Sequence, residues 1–474
     1  MSKTSPRMII VPLIVACALF MQIFDGSVIS TALPAMAQSL KTDPLHINLA
    51  MTSYLFSLAV FIPLSGWIAD RYGARTAFRA SILIFTLSSA ACGIAQTLPQ
   101  LVVARIVQGM GGAAMLPIGR LILLKTIPKA RLVNAIIWLS IPVMLGPVLG
   151  PPVGGYIVTY STWRWIFFIN LPIGVLGIVL VSLFIDNIRE ERMDALDKRG
   201  FLLMAAALAG LVASFETVGR DLLPGPVIAE FFTGGLFCFG LYLWHARRRT
   251  APIVDLSLFR LPSFRAAMGG GSLFRIGIGA LPFLLPMMLQ IGFGLSPLSS
   301  GMLTLASAVG ALLVRLVAAR IIRRLGFRRM MIANALISAA FIIACGPFRP
   351  DTSHGTILAV LLAGGFFQSL QFVALNTFAF ADVPDALMSR ATTLFCMLQQ
   401  LFLSLGVATG ALLLNLTLGA RHETGLSAHD FWPAFLGVGI ISALSVFFFL
   451  RLAPDAGAEM SGHKIDSREP LPDS

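Results

Sequence analysis

Charge is scarce in this chain of 474 residues: Asp, Glu, Lys and Arg make up 12% of it, and the acids number only 22. Soluble globular proteins carry about 25% charged residues, so a surface that faces water throughout is excluded. Cysteine is sparse too. Cys17, Cys92, Cys238, Cys345 and Cys396 all fall in apolar stretches without C-x-x-C spacing, which excludes a disulfide framework and a thiolate metal site. None of the six histidines lies beside a second ligand-type residue at helical spacing, and the sequence predicts neither metal nor cofactor. Long polar segments are lacking as well. Loops and tails reach only about 20 residues, too few for a soluble domain.

What the chain has in quantity is apolar residues, 57% of the total, with a mean hydropathy of +0.85. They come in blocks of the length a bilayer core demands, about 20 residues per helix. About fourteen such blocks are readable on that criterion, near 9–34, 47–67, 78–96, 100–124, 133–158, 164–185, 200–217, 226–246, 264–291, 296–321, 328–347, 355–379, 387–418 and 430–451. The first follows Lys3 and Arg7 and ends at Ala35-Met36-Ala37, imitating a secretory signal. Its length and its embedded Asp25 mark it as a retained span.

The net charge of +13 would suggest a nucleic-acid partner in a soluble protein. Here the basic residues collect in alternate loops. With a cytoplasmic N-terminus, about 26 of the 35 fall inside and about five outside. That bias predicts an even number of spans, both termini in the cytoplasm, a bacterial inner-membrane location and no nucleic acid.

A weak internal repeat links Gly66-Trp67-Ile68-Ala69-Asp70-Arg71-Tyr72-Gly73-Ala74-Arg75 with the basic turn from Ala319 to Arg329, which contains Gly326. Each comes two spans into a set of six. The expected architecture is an all-α integral membrane protein with 14 transmembrane helices: two pseudo-symmetric six-helix bundles and an inserted central pair. The boundaries are 1–185, 186–263 for the inserted pair and its linkers, 264–452, and a disordered cytoplasmic tail over 453–474. Paired halves around a mid-membrane site are transporter architecture.

Buried charge locates the chemistry. Asp25 lies about 24 Å into the first span and Arg105 about 9 Å from the other face in the fourth, so the two reach similar depths. A charge at the bilayer centre costs roughly 2.5–3.5 kcal/mol and normally faces a partner or a cavity. One reading is a proton-exchanging carboxylate beside a guanidinium, with Gln22 and Gln108 on the same helical faces. The other is a static ion pair. Arg275 is a third charge at mid-membrane depth, and no Asp or Glu lies at that depth in spans 9–14. Gln368, Gln371, Gln399 and Gln400 do, so Arg275 either meets Asp25 across the cavity or awaits an anionic ligand. Gln22, Gln108, Arg275, Gln368 and Gln371 are therefore the candidate substrate-cavity residues. Arg120 and Arg315 lie near inner ends, where long side chains snorkel to water.

Span 5 carries Gly146, Pro147, Gly150, Pro151, Pro152, Gly154 and Gly155 within ten residues, a kinked surface for close helix packing. Gly109-Met110-Gly111-Gly112-Ala113-Ala114 has the form G-x-G-x-x-A, but no strand precedes it, and packing explains it better than a dinucleotide.

Taken together these residues resemble the major facilitator superfamily over nearly the whole chain, and within it the fourteen-span drug:proton antiporter branch. Gly66, Asp70, Arg71, Gly73 and Arg75 are similar to the superfamily's loop after span 2. Arg105, Gln108 and Gly109 resemble its span-4 motif, and Gly150-Pro151-x-x-Gly154-Gly155 its antiporter motif. Asp25 with Ala32-Leu33-Pro34, and the run from Trp163 to Pro172, resemble signatures of the branch. The resemblance implies the major facilitator fold and rocker-switch alternating access. Asp70 and the loop arginines would latch the outward-open state, and Arg105 would influence proton coupling. The function expected is proton-coupled export of small organic compounds by a monomer, of multidrug-efflux type. The alternative is export of an anionic metabolite such as citrate or a metal-citrate chelate. A membrane-embedded enzyme or receptor is the remote alternative, since no nucleophile–base pair or phosphate loop is present.

Overall fold

A computed structural model describes residues 7–42, 47, 49–128, 131–187, 195–217, 224–249, 252–295, 297–421, 427–453 and 456–461. Regular structure among them is helical throughout. The helices are α1 Arg7–Ser39, α2 Leu49–Phe61, α3 Leu64–Tyr72, α4 Ala74–Ile94, α5 Leu98–Thr126, α6 Leu132–Tyr160, α7 Trp165–Phe168, α8 Asn170–Phe184 and α9 Lys198–Thr217. They continue with α10 Gly225–Ala246, α11 Pro262–Met287, α12 Pro297–Leu313, α13 Ala318–Ala344, α14 His354–Phe378, α15 Met388–Arg421, α16 Phe431–Ala443, α17 Val446–Leu450 and α18 Ala458–Ser461.

Among the described residues, 12 helical segments are long and apolar enough to cross a membrane, or 13 when the bent pair Ser53–Phe61 and Leu64–Tyr72 is one span. The fourteen expected from the sequence are not confirmed by that count. The 57° bend has a local cause: Pro63 precedes α3, and its ring removes a backbone donor and crowds the preceding turn.

The sequence repeat reappears as geometry. After α3 the chain turns at Gly73 (φ 87°, ψ 145°) and starts α4. Inside α13 it turns at Gly326 (φ 71°, ψ 165°) and starts a second helical stretch. Both are left-handed positions with extended ψ, which residues bearing a Cβ adopt only with strain. The first turn is also braced by a side chain: Asn187 accepts from the Thr76 amide (3.3 Å) and donates to the Tyr72 carbonyl (3.4 Å).

By contact density the chain forms two compact units. One holds Met1–Ile127, Ile137–Ser257 and Pro384–Asn415; the other holds Pro128–Ile136, Leu258–Val383 and Leu416–Ser474. In the first unit Phe24, Val28, Ile29, Ala32 and Met36 of α1 pack with Leu101 of α5, Trp163, and Ile166 and Phe167 of α7. In the second, α12 packs along α14, and α13 along α14 and α16. One segment departs from expectation. Within the tail read as disordered, Ala458–Ser461 are helical, Met460 is buried and α18 lies on α13.

The G-x-G-x-x-A run is a packing device. A Cβ on Gly109 would stand 2.6 Å from the Tyr54 carbonyl oxygen of α2, and one on Gly111 2.8 Å from the Phe85 nitrogen of α4. Glycines two residues apart thus admit helices on two sides of α5. Gly111→Val is expected to cost about 1–3 kcal/mol by overpacking, read as a lower thermal midpoint in detergent. Gly177→Ala, whose Cβ would meet Ile82 at an ordinary 3.7 Å, should leave that midpoint unchanged.

Candidate functional site

Asp25 and Arg105 meet as the sequence predicts. The Arg105 Nη1 donates to Asp25 Oδ2 at 2.6 Å and to Gln108 Oε1 at 2.6 Å, and its Nε donates to the Ala50 carbonyl at 3.0 Å. Arg105 and Gln108 are i, i+3 on α5 and so share a face. Asp25 Oδ1 accepts from Gln108 Nε2 at 3.1 Å and from Asn170 Nδ2 at 2.9 Å. The same Asn170 nitrogen donates to Ser89 Oγ (3.0 Å), whose hydroxyl donates to the Phe167 carbonyl (2.9 Å). The guanidinium lies over the Tyr54 ring, 4.2 Å from its centroid, a cation–π contact that adds to the pair. Cys92 donates its thiol to Gln108 Oε1 at 3.7 Å. Helices α1, α2, α4, α5, α7 and α8 therefore share one hydrogen-bonded cluster around Asp25, all within the first unit.

Among the described residues, three groups donate to Asp25, Arg105, Gln108 and Asn170, the complement of an ionised carboxylate. The pair is thoroughly desolvated: Asp25 and Arg105 are each 1% exposed. Losing one partner of such a buried pair costs about 3–5 kcal/mol, because the other charge is stranded. Of the two surroundings expected for a charge at this depth, a partner or a cavity, Asp25 has the partner. Gln108 is fully buried, with its amide atoms committed to Asp25 and Arg105, and lines no open cavity. Gln22 is half-buried near the Tyr54 hydroxyl; a Cβ on Gly112 would lie 3.1 Å from that oxygen and 3.6 Å from Gln22 Nε2.

The glycine-proline run of α6 lies against the Asp25 turn of α1. A Cβ on Gly146 would be 3.0 Å from Ile23 and 3.1 Å from the Phe24 nitrogen, and one on Gly150 would be 2.6 Å from Ser27 Cβ. These glycines, one helical turn apart, flank residue 25. Gly154 is buried, whereas a Cβ on Gly155 would meet nothing within 4 Å. The side chains of Pro147 and Pro151 lie outside the described residues.

The loop motif is drawn together with α15 in the same unit. Ser389 donates to the Gly66 carbonyl at 3.0 Å, and the Ser65 and Thr393 hydroxyls are 3.3 Å apart. A Cβ on Gly66 would stand 2.6 Å from Thr393 Oγ1, so the residue is a close-approach glycine. Asp70 and Arg75 are half-buried and Arg71 is exposed. Arg120 does not snorkel: it is buried, lies 4.4 Å over the Phe395 ring and donates to Cys396 Sγ at 3.6 Å. Arg315, in the second unit, is likewise buried.

Arg275 lies midway along α11 and is fully buried. One turn earlier Gly271 leaves it room, since a Cβ there would be 2.7 Å from Arg275 Nη1 and 3.5 Å from Leu375 of α14. Gln371, a turn before Leu375, is buried and accepts from Asn334 Nδ2 at 2.9 Å. Gln368 is half-buried near Gly364. Of the polar residues bound into these clusters, Ser89 and Tyr54 in the first unit and Asn334 in the second carry one signal in the sequence, polarity inside an apolar run; Asn170 carries a second, its place in the run from Trp163 to Pro172.

A family model described as the Major Facilitator Superfamily matches residues 15–407 and, in a second match, 267–471. Proteins named "Putative multidrug resistance protein MdtD" from Salmonella newport and Salmonella typhi are each 36% identical over 450 residues, covering 94% of this chain and 95% of theirs. The crystal structure of the human organic anion transporter MFSD10 (TETRAN) matches with a TM-score of 0.69 at 15% identity, over 94% of this chain and 100% of that one. The proton:xylose symporter XylE bound to 6-bromo-6-deoxy-D-glucose matches with a TM-score of 0.65, also at 15% identity, over 96% and 98%. At that identity the likeness to both is one of fold.

Proposed function

The chain belongs to the Major Facilitator Superfamily, and from that premise we propose that it exports small organic compounds from the bacterial cytoplasm in exchange for protons. Family and fold make it a multi-pass membrane transporter rather than an enzyme. The single observation that carries the coupling is the buried Asp25–Arg105 pair, with its carboxylate held by Arg105, Gln108 and Asn170. A carboxylate whose partners come from separate helices changes its surroundings when those helices move. It takes a proton when opened to the outer phase and gives it up when opened to the cytoplasm. Alternating access supplies the two exposures, with Gly66, Asp70, Arg71, Gly73 and Arg75 steadying one of them. One proton entering down 100 mV supplies about 2.3 kcal/mol, enough for roughly a 50-fold substrate gradient.

A second reading concerns the cargo. The relatives are named for multidrug resistance, yet Arg275, buried midway along α11, sets a positive charge in the apolar interior of the second unit and favours an anionic compound such as a citrate-like acid or its metal chelate. Proteoliposomes with an imposed pH gradient, offered a panel of lipophilic cations and small polycarboxylates, decide both points. Gradient-dependent flux of some panel member is expected. Arg275→Ala should abolish flux of anions and leave cations untouched. Flux that ignores the pH gradient for every compound would overturn the coupling, and cation-only flux unaffected by Arg275→Ala the anionic reading.

A further inference from the structure

We propose that Asn170 is the positioning residue that lets the buried Asp25 site hold either protonation state, by turning its side-chain amide over when the carboxyl gains a proton. The inference rests on the reading of Asp25 as the proton carrier and deepens it.

The argument begins with an orphan atom. Asn170 is fully buried, and its Oδ1 has no hydrogen-bond partner among the described residues. Its Nδ2 carries two bonds, to Asp25 Oδ1 and Ser89 Oγ. A buried carbonyl oxygen left without a donor is costly and uncommon. The ionised site therefore keeps an acceptor in reserve beside an acid that, when protonated, becomes a donor in need of one.

The proton's position follows from the neighbours. Oδ2 is held at 2.6 Å by the permanently charged Arg105, so a proton from the outer phase adds to Oδ1. An O–H bond forms there, the carboxyl becomes neutral, and no heavy-atom bond changes. Both groups now aimed at Oδ1, Gln108 Nε2 and Asn170 Nδ2, are donors, and the new hydroxyl finds no acceptor between them. Gln108 is not free to supply one, because its Oε1 is held by Arg105 at 2.6 Å and reversing the amide would set an NH₂ against a guanidinium. No described donor holds the Asn170 Oδ1, so reversing this amide opposes no bond to that oxygen. Turning its amide by half a rotation puts Oδ1 where Nδ2 was, about 2.9 Å from the acid oxygen and 3.0 Å from Ser89 Oγ. It then accepts from the acid, and the Ser89 hydroxyl swings from the Phe167 carbonyl to donate to the same oxygen. Loss of the proton to the cytoplasmic phase reverses each step. The other charged or titratable groups facing Asp25 among the described residues are Arg105 of α5, Tyr54 of α2 and Cys92 of α4; the Cys92 thiol is directed to Gln108 Oε1, and the Tyr54 hydroxyl bonds neither carboxylate oxygen.

The test combines a pH profile with a spectroscopic signature. Asn170→Leu removes both the donor for the ionised acid and the acceptor for the neutral one. The charge-assisted bond is the stronger of the two. The pH of half-maximal proton-driven transport should therefore rise by about half a unit to one unit, with transport still coupled. A slower rate at an unmoved pH profile means a merely structural Asn170 and overturns the proposal. Isotope-edited infrared spectra with ¹³C at the asparagine side-chain carbonyl are expected to show one amide band shifting on acidification, lost in Asn170→Leu and in Asp25→Asn. No shifting band in the unsubstituted protein would overturn the proposal even if the leucine variant does not fold. Persistent proton coupling in Asp25→Asn would instead remove the underlying reading of Asp25. Lost coupling there, with an unmoved profile in Asn170→Leu, removes Asn170 alone.

Discussion

Asp25→Asn is expected to abolish proton-driven transport, lowering flux under a pH gradient by about 100-fold or more, the scale on which a positioned proton-transfer group contributes. Exchange of labelled for unlabelled substrate, which needs no net proton movement, should persist. The asparagine is nearly isosteric and keeps an oxygen for the Arg105 guanidinium at the position where Oδ2 now accepts at 2.6 Å. It cannot carry the proton. Stability will fall as well, because the buried Arg105 loses its counter-charge, at a cost on the order of 3–5 kcal/mol. The double variant Asp25→Asn/Arg105→Gln separates the effects. It removes the stranded charge and should recover most of the thermal midpoint in detergent, while proton-driven flux stays absent. Flux that remains undiminished and proton-driven in the single variant would remove Asp25 from the mechanism.

That pair was legible in the sequence because it violates the rule of its surroundings. A carboxylate and a guanidinium in apolar spans need partners, and rise per residue alone places Asp25 and Arg105 at similar depth. The same logic does not reach Asn170. A neutral amide between Ile169 and Leu171 imposes no comparable demand, and its partner Asp25 lies 145 residues away. Only coordinates show that its nitrogen completes the carboxylate's shell. Ser89 and Tyr54 were hidden in the same way, as ordinary polar residues whose role depends on what they face. Asn187 was invisible for another reason: it braces the Gly73 turn through backbone atoms, which have no identity in a sequence. Arg120 shows the reverse error. Its place near a helix end suggested snorkelling, but Phe395 and Cys396 cover it, and no rule of length or polarity foretells a cover supplied from a helix 276 residues away. The positive-φ glycines were half legible. The repeat aligned Gly73 with Gly326, and the structure added why each must be glycine.

Gly150→Leu is expected to stop transport almost completely in protein that still reaches the membrane, whereas Gly155→Leu in the same motif should transport at the unsubstituted rate. Composition does not distinguish the two positions, for both are glycines in one short run. Their surroundings do. A Cβ on Gly150 would lie 2.6 Å from the Ser27 Cβ and 3.2 Å from its carbonyl carbon, closer than side chains tolerate, so α6 must lift off α1 two residues beyond Asp25. Overpacking of this kind costs about 1–3 kcal/mol in a folded core, too little to unfold a large helical bundle outright. It is nevertheless enough to move a carboxylate relative to donors set at 2.6–3.1 Å, and a hydrogen bond weakens steeply once its geometry is lost. A Cβ on Gly155 meets nothing within 4 Å, so a side chain there begins without a clash. Flux in proteoliposomes, normalised to the amount of folded protein, separates the two variants. Equal activity would mean that close approach of α6 to the Asp25 turn has no part in coupling. Equal loss would mean that the run acts through its backbone flexibility rather than through the face it turns to α1.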